Sequence, residues 1–334
     1  MNKKVTASDV ASYLGVSRSA VSRAFTEGAS INDQKRTRIL DAAKALGYQP
    51  NMFARTLSTP TVKAKSNLVA ILISDFSNPF QSHLFEVLSS ELQTSGKQPM
   101  LLNVKHENDL DEALMRLSGY QVDGVIAVMG SLPAESLNLC LKLSLPLVTL
   151  GRAEKSGNIP SVQTDNHKAG QLAAEYLLSN RCQKLAFVSG RADGQASNER
   201  WEGFESEVTR QTGVQPLVLE GGRYGYSAGF EVGTREMESL RDVDGVFCAS
   251  DALALGLLDA CRQVSRIEVP YQLYLVGCDD VPQAAWQGYQ LTTVAQPVKE
   301  IAKQALLALE NQWRSETTDI MVTRVQPYLK VRRT

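Results

Sequence analysis

Histidine and cysteine are scarce in this chain. Its 334 residues include three histidines (His83, His106, His167) and five cysteines (Cys140, Cys182, Cys248, Cys261, Cys278). No two histidines fall at metal-pair spacing, and no C-x-x-C occurs. A metal centre, a redox pair or a disulfide framework is therefore not expected, and the scattered thiols read as reduced. No run of 18 apolar residues exists, so no spanning helix is expected. The opening Met1-Asn2-Lys3-Lys4-Val5-Thr6 has two lysines but no apolar stretch behind them, so a secretory signal is not expected and the cytoplasm is the expected location. Dinucleotide, Walker and nucleophile-elbow motifs are missing too, so neither a cofactor nor a catalytic residue is expected. Asp165, Asp251 and Asp279 could in principle do acid-base work, but a binding role accounts for them without chemistry.

Net charge is also nearly absent, at −1. That total conceals a division. Residues 1–65 carry a net +7, and the other 269 carry −8. A basic head on an acidic body points to a polyanion as the partner of the head. The length is that of about two domains, at ~150 residues each.

The first ~48 residues predict three short helices. Thr6 can cap the first, with Asp9 at the capping-box position, and Gly15 stops it near Leu14. Ser17 can cap a second over Arg18–Phe25. Asn32 can cap a third, with Ile39, Ala42, Ala43 and Leu46 at helical spacing and Gly47 past its end. Ala11, Gly15, Val16 and Val21 have the spacing of a tight helix-turn-helix, which leaves Arg18, Ser19, Ser22 and Arg23 on the free side of the second helix. Arginine can pair with guanine through two hydrogen bonds, and serine can bind bases or phosphate. A small solvated bundle with a basic face satisfies the same spacing. The next segment, Asn51–Leu57, is too short to be a stable helix alone. The polar, basic stretch 58–66 reads as a linker.

From Leu68 onward, short apolar runs alternate with helix-period segments. The runs are Leu68–Ile73, Met100–Val104, Gly124–Val128, Leu147–Leu150, Leu185–Val188, Leu217–Leu219, Val243–Cys248 and Leu273–Val276. Segments such as Pro79–Ser95, His167–Leu178, Ala252–Cys261 and Val298–Trp313 lie between them. The alternation argues for parallel α/β sheets in two lobes.

Residues 5–57 resemble the DNA-binding head of the LacI/GalR family of bacterial transcription regulators. The matching stretches include Val5-Thr6-Ala7-Ser8-Asp9-Val10-Ala11, Leu14-Gly15-Val16-Ser17, Ala20-Val21-Ser22-Arg23, Leu46-Gly47-Tyr48-Gln49-Pro50-Asn51 and Ala54-Arg55-Thr56-Leu57. The resemblance continues through Ser74–Phe80, Val122–Ile126, Thr164-Asp165-Asn166, Gly203-Phe204, Ala249–Gly256, Val276–Asp280 and Leu291–Val294.

It implies a small all-α helix-turn-helix head (1–49), a hinge helix and linker (50–65), and a two-lobed α/β body (66–334) resembling periplasmic sugar-binding proteins. Lobe one would be about 66–162 and 294–321, and lobe two about 163–291 and 323–334, with three strands crossing between them. The resemblance implies operator contacts for Thr6, Ser17, Arg18, Ser19, Ser22, Arg23, Asn51, Ala54, Arg55 and Leu57, with Leu57 wedged into the minor groove by a dimer. It implies a repressor with operator DNA, a sugar-like effector and a second copy of the chain as partners. A nucleobase or nucleoside co-repressor, or an activator, are the alternatives. A sugar-binding or sugar-modifying protein without a DNA role comes after them.

Effector contacts are expected from Phe80, Gln81, Arg152, Asp165, Arg200, Tyr224, Ser250, Asp251 and Asp279. Each also has a plainer role available. Phe80 could be core, Asp165 and Asp251 helix caps, and Arg200 part of a surface ion pair. Arginine, paired carboxylates and an aromatic face suit a polyol, whose hydroxyls both donate and accept. One departure stands out. Sugar sensors of the family often place an acid after the strand ending at Leu150, whereas here Gly151 and Arg152 follow, which leaves room for a phosphorylated or acidic sugar.

Overall fold

The computed structural model describes residues 5–26, 28–49, 66–104, 115, 117, 119–128, 142, 145–151, 159–314 and 322–334. The chain divides into two compact units, Met1–Ser66 and Asn67–Thr334.

In the first unit, α1 (Ala7–Leu14), α2 (Arg18–Ala24) and α3 (Asp33–Leu46) form a three-helix head. Side chains set each start. The Asp9 amide donates to Thr6 Oγ1 at 3.3 Å, while Asp9 Oδ2 accepts from the Thr6 amide at 2.7 Å. The Ser17 and Asn32 side chains accept from the Ala20 and Lys35 amides and cap α2 and α3. Gly15 at φ 64° and Gly47 at φ 69° end α1 and α3 in the left-handed conformation that glycine adopts without strain. Val10, Ala11, Ala20, Val21, Ala24, Ile39 and Ala43 form the core, with Phe25 set edge-on to Tyr48. Arg36 is not free for a partner. Its guanidinium donates to the carbonyls of Ala24, Thr26 and Ala29 and closes the α2–α3 turn.

Among the described residues, the second unit holds two six-stranded sheets. The first runs β11-β5-β4-β3-β1-β2, from β1 (Leu68–Ile73), β2 (Gln98–Asn103), β3 (Gly124–Val128), β4 (Leu147–Leu150), β5 (Ser161–Thr164) and β11 (Val322–Val325). The second runs β12-β10-β9-β8-β6-β7, from β6 (Leu185–Ser189), β7 (Leu217–Glu220), β8 (Gly245–Cys248), β9 (Tyr274–Asp279), β10 (Thr292–Ala295) and β12 (Tyr328–Lys330). Among the described residues, all strand pairings are parallel except β10 with β12. Sequence runs and strands coincide because central strands buried on both faces are continuously apolar. In β1, Val69, Ile71 and Ile73 pack on one face while Ala70 and Leu72 pack on the other.

Helices α4 (Pro79–Thr94) and α10 (Val298–Trp313) cover the first sheet. The second sheet carries α5 (Asn166–Ser179), α6 (Gln195–Thr212), α7 (Tyr226–Arg235), α8 (Met237–Arg241) and α9 (Asp251–Ala260). Phe187, Phe204 and Phe247 meet at its centre, with ring centroids 5.4–6.1 Å apart. Cys182, Cys248, Cys261 and Cys278 are buried free thiols. Among the described residues, no helix is long and apolar enough to cross a membrane.

The lobes exchange chain later than the sequence predicts. β5 keeps residues 161–164 in the first sheet, β10 keeps 292–295 in the second, and β11 keeps 322–325 in the first. The crossings therefore fall at 165, 296–297 and 326–327. Sheet membership follows from pairing with a neighbour, and the short polar runs SVQT and TTVA carry no period that announces it.

Candidate functional site: a basic helix face and an interlobe cleft

In the head, burial of Ala20, Val21 and Ala24 against α1 and α3 turns the other face of α2 outward. Arg18, Ser19, Ser22 and Arg23 are all exposed on it. Arg23 is partly held, since its Nε donates to the Ser19 carbonyl at 3.4 Å. Ser17 and Ser19 share a hydroxyl contact of 2.9 Å at the helix start. Thr6 is an exposed cap at the start of α1. Two guanidiniums and three hydroxyls along two turns of exposed helix can meet phosphate and base edges. Asn51, Ala54, Arg55 and Leu57 lie outside the described residues.

In the body, a cleft of ≈ 980 Å³ opens at the carboxyl ends of the strands of both sheets. Ser74 and Asp75 follow β1, Thr164 ends β5, Ser250 follows β8, Asp279 ends β9, and Gln296 follows β10. All of these line the cleft. In both sheets the strand order reverses beside the first strand, between β1 and β3 and between β6 and β8, where open α/β sheets leave a crevice.

Close helix contacts build the floor. Asn166 opens α5 and Arg200 lies in α6. These helices touch backbone to backbone because each has a glycine at the crossing. A Cβ on Gly203 would lie 1.9 Å from the His167 carbonyl oxygen, and one on Gly170 would lie 2.1 Å from that of Arg200. Helices α7 and α9 repeat the device at Gly229 and Gly256. Arg200, only 4% exposed, donates through Nε to Asn166 Oδ1 at 2.9 Å and through Nη1 to the Ala249 carbonyl. Its Nη1 lies 3.7 Å from Asp279 Oδ1. Asn166 in turn donates to Glu199 Oε2 at 3.2 Å.

Burial pushes the Asp279 carboxyl above the ordinary aspartate range, and Arg200 limits the rise. Asp251 is fully buried and is pushed up further, by burial first and by the Asp279 charge second. Arg200 thus faces the Asp279 carboxyl directly. Burial also acts on Asp280, but Arg332 and Lys330 outweigh it and hold that carboxyl below its usual range.

The cleft brings together Phe80, Gln81, Arg200, Tyr224, Ser250 and Asp279. Phe80 packs against the cores of both lobes. The Tyr224 ring presses on Gly190, where a Cβ would come within 2.3 Å of it. Two expected contacts do not reach the cleft wall. Asp165 caps α5 through the Lys168 amide at 3.0 Å, and its neighbour Asn166 takes the wall. Asp251 points into the protein, where its carboxyl oxygens accept from the Val281 amide at 2.9 Å and the Thr293 hydroxyl at 2.5 Å. An aspartate at a helix start is turned inward or outward by what lies beneath it, and here the bare Cα of Gly277 makes room underneath. A Cβ on Gly277 would lie 2.2 Å from Asp251 Oδ1. Arg152 lies outside the described residues.

Sequence reasoning missed Asn166 and Gln296 as wall residues. The available signal for Gln296 was a polar side chain between a short strand and the proline before a helix. Arg191 and Arg223 also line the cleft, paired with Asp193 at 2.7 Å and Glu231 at 2.9 Å.

Comparison with known proteins agrees with both units. Residues 6–51 match the model for bacterial regulatory proteins of the lacI family, and residues 174–334 match a periplasmic binding protein-like domain. The chain is 30% identical to the ribose operon repressor of Halalkalibacterium halodurans, over 98% of this chain and 96% of that protein. A transcriptional regulator CelR–cellobiose complex is 25% identical with a TM-score of 0.73, covering 99% of each chain. The Lac repressor dimer bound to operator and an anti-inducer shares the fold, with a TM-score of 0.86 at 21% identity over 99% of each chain. The chain belongs to the LacI family of bacterial regulatory proteins, which are DNA-binding regulators of transcription.

Proposed function

We propose that this protein is a cytoplasmic, dimeric repressor that binds a pseudo-palindromic operator and is controlled by a neutral polyol, a sugar or sugar derivative, in the interlobe cleft. Arg18 and Ser19 at the start of α2 choose the operator sequence, while Ser22 and Arg23 add base and phosphate contacts. Asn51, Ala54, Arg55 and Leu57 add further operator contacts. A two-fold dimer presents two such heads to two half-sites.

The observation that carries the effector reading is the floor set of Arg200, Asn166 and Asp279 beside the Tyr224 ring. Fixed donors and acceptors next to an aromatic face suit hydroxyls that both donate and accept. Charge matching favours a neutral ligand over a phosphorylated one. The described guanidiniums of the cleft each face a carboxylate: Arg200 Asp279, Arg191 Asp193, and Arg223 Glu231. The names of the related ribose operon repressor and of the cellobiose-bound regulator point to the same class.

A thermal-shift panel of free sugars, sugar phosphates and nucleosides tests this reading. A neutral sugar should raise the melting temperature progressively, following RT ln(1 + [L]/Kd). Stabilisation by sugar phosphates or nucleosides alone would overturn the neutral-polyol assignment.

A further inference from the structure

Asp279 and Asp280 stand at φ 142° and 59°, two consecutive non-glycine residues in the half of backbone space that L side chains rarely adopt. Such a conformation persists where the surroundings impose it. Here the surroundings are the chain crossings between the lobes. At the second crossing, Gln296 Nε2 donates to Asp279 Oδ1 at 2.6 Å, and the Gln296 amide donates to the Asp279 carbonyl at 3.2 Å. Beyond the third crossing, Lys330 Nζ donates to Asp280 Oδ2 at 2.9 Å, and Arg332 donates to Asp280 Oδ1.

The first crossing closes the circuit. Thr164 Oγ1, at the end of β5 in lobe one, donates to Gln296 Oε1 at 2.6 Å. Asp165 accepts from Gln326 Nε2 of the third crossing at 3.3 Å, and its amide donates to the Val325 carbonyl at 2.9 Å. All three crossings are thus joined through a turn whose first carboxylate lies on the cleft floor.

We propose that Gln296 is the positioning residue that couples the cleft to the angle between the lobes. Its amide holds the Asp279 carboxylate of lobe two and the Thr164 hydroxyl of lobe one at once, and a ligand hydroxyl donating to Asp279 competes for that carboxylate. The competition rests on the polyol reading above, whereas the mechanical link between Thr164 and the Asp279–Asp280 turn does not. With the Gln296 side chain released from the Asp279 carboxylate, the Thr164 contact no longer reaches that carboxylate, and the bond from the Gln296 backbone amide to the Asp279 carbonyl is the one that remains.

Native-state hydrogen exchange of the full chain, without ligand or DNA, tests the link. The reporters are the Val281 amide, bonded to Asp251 Oδ2, and the Gln296 amide, bonded to the Asp279 carbonyl. Thr164→Val removes the hydroxyl at nearly constant shape and should speed exchange of both reporters about tenfold, as expected for the loss of one hydrogen bond. Thr164→Ser should restore the slow rates. Gln296→Met should speed the Val281 amide and peptides spanning 161–166 together. In each variant, the amides of β6 and β8 should keep their rates, which separates loss of coupling from general loosening. Acceleration confined to 161–166, or Thr164→Ser exchanging as fast as Thr164→Val, would overturn the proposal. Such a result would leave the polyol reading standing, since that reading is decided by the thermal-shift panel.

Discussion

The head and the body divide the work of folding and function differently. In the head, Val10, Val21 and Ile39 make the core, and Arg18, Ser19 and Ser22 face outward without supporting it. In the body, the residues that face the cleft also hold it together. Arg200 ties two helices to a strand end, and Asp279 ends a central strand while meeting Gln296 and Arg200. Substitution in the head should therefore separate DNA recognition from stability, and substitution on the cleft floor should not.

The strongest test of that contrast is Arg200→Ala. It strips Asn166, Asp279 and the Ala249 carbonyl of a buried donor. Breaking a buried pair from one side costs about 3–5 kcal/mol. Chemical denaturation should register that loss together with the loss of effector binding. Full stability with only binding lost would mean that the floor is not structural.

Gly203→Ala comes next. The added Cβ falls 1.9 Å from a backbone oxygen, so α5 and α6 must separate, at about 1–3 kcal/mol for an overpacked contact. Asn166 and Arg200 would shift with their helices, so the loss of stability should again be accompanied by weaker effector binding in calorimetry.

Arg18→Ala is the counterpart in the head. It should leave the melting temperature unchanged and alter operator preference by about 1–3 kcal/mol, if Arg18 reads a guanine. Competition binding with operator variants measures this, and an unchanged sequence preference would remove Arg18 from the readout.

The smallest effect per unit of the variable changed is the pH slope of stability. A buried carboxyl with a raised pKa keeps its proton in the folded state after the unfolded chain has lost it. Stability therefore falls as pH rises from the ordinary aspartate range towards about 8, the value to which burial and Asp279 push Asp251. Asp251→Asn can accept from the Val281 amide and donate to the Thr293 hydroxyl. It should flatten that slope, by at most about 1.4 kcal/mol per pH unit for one proton. An identical slope in the variant would show that Asp251 does not carry the linkage.

The same contrast explains what the sequence made legible. The three head helices are local objects. Thr6, Ser17 and Asn32 start them, and Gly15 and Gly47 end two of them, so their limits fall within a residue of expectation. The cleft is assembled from strand ends distant in the chain. Arg200 and Asp279 stood out through the resemblance, but the direction of a side chain at a helix start depends on packing beneath it. Asp251 therefore turns inward over Gly277, and Asn166 replaces Asp165 at the wall. β5, β10, β11 and β12 have four residues or fewer and owe their existence to a paired neighbour.

If ligand binding in the body governs the basic head, operator affinity must change when the ligand is added. The most direct test is selection of bound sequences from a random duplex pool by the full chain, followed by titration of the enriched duplex with and without the sugar that most raises the melting temperature. A pseudo-palindrome should be enriched, and its affinity should shift 5- to 150-fold with the sugar, a coupling of about 1–3 kcal/mol. An enriched duplex bound equally well in both conditions, or no enrichment at all, would contradict that control.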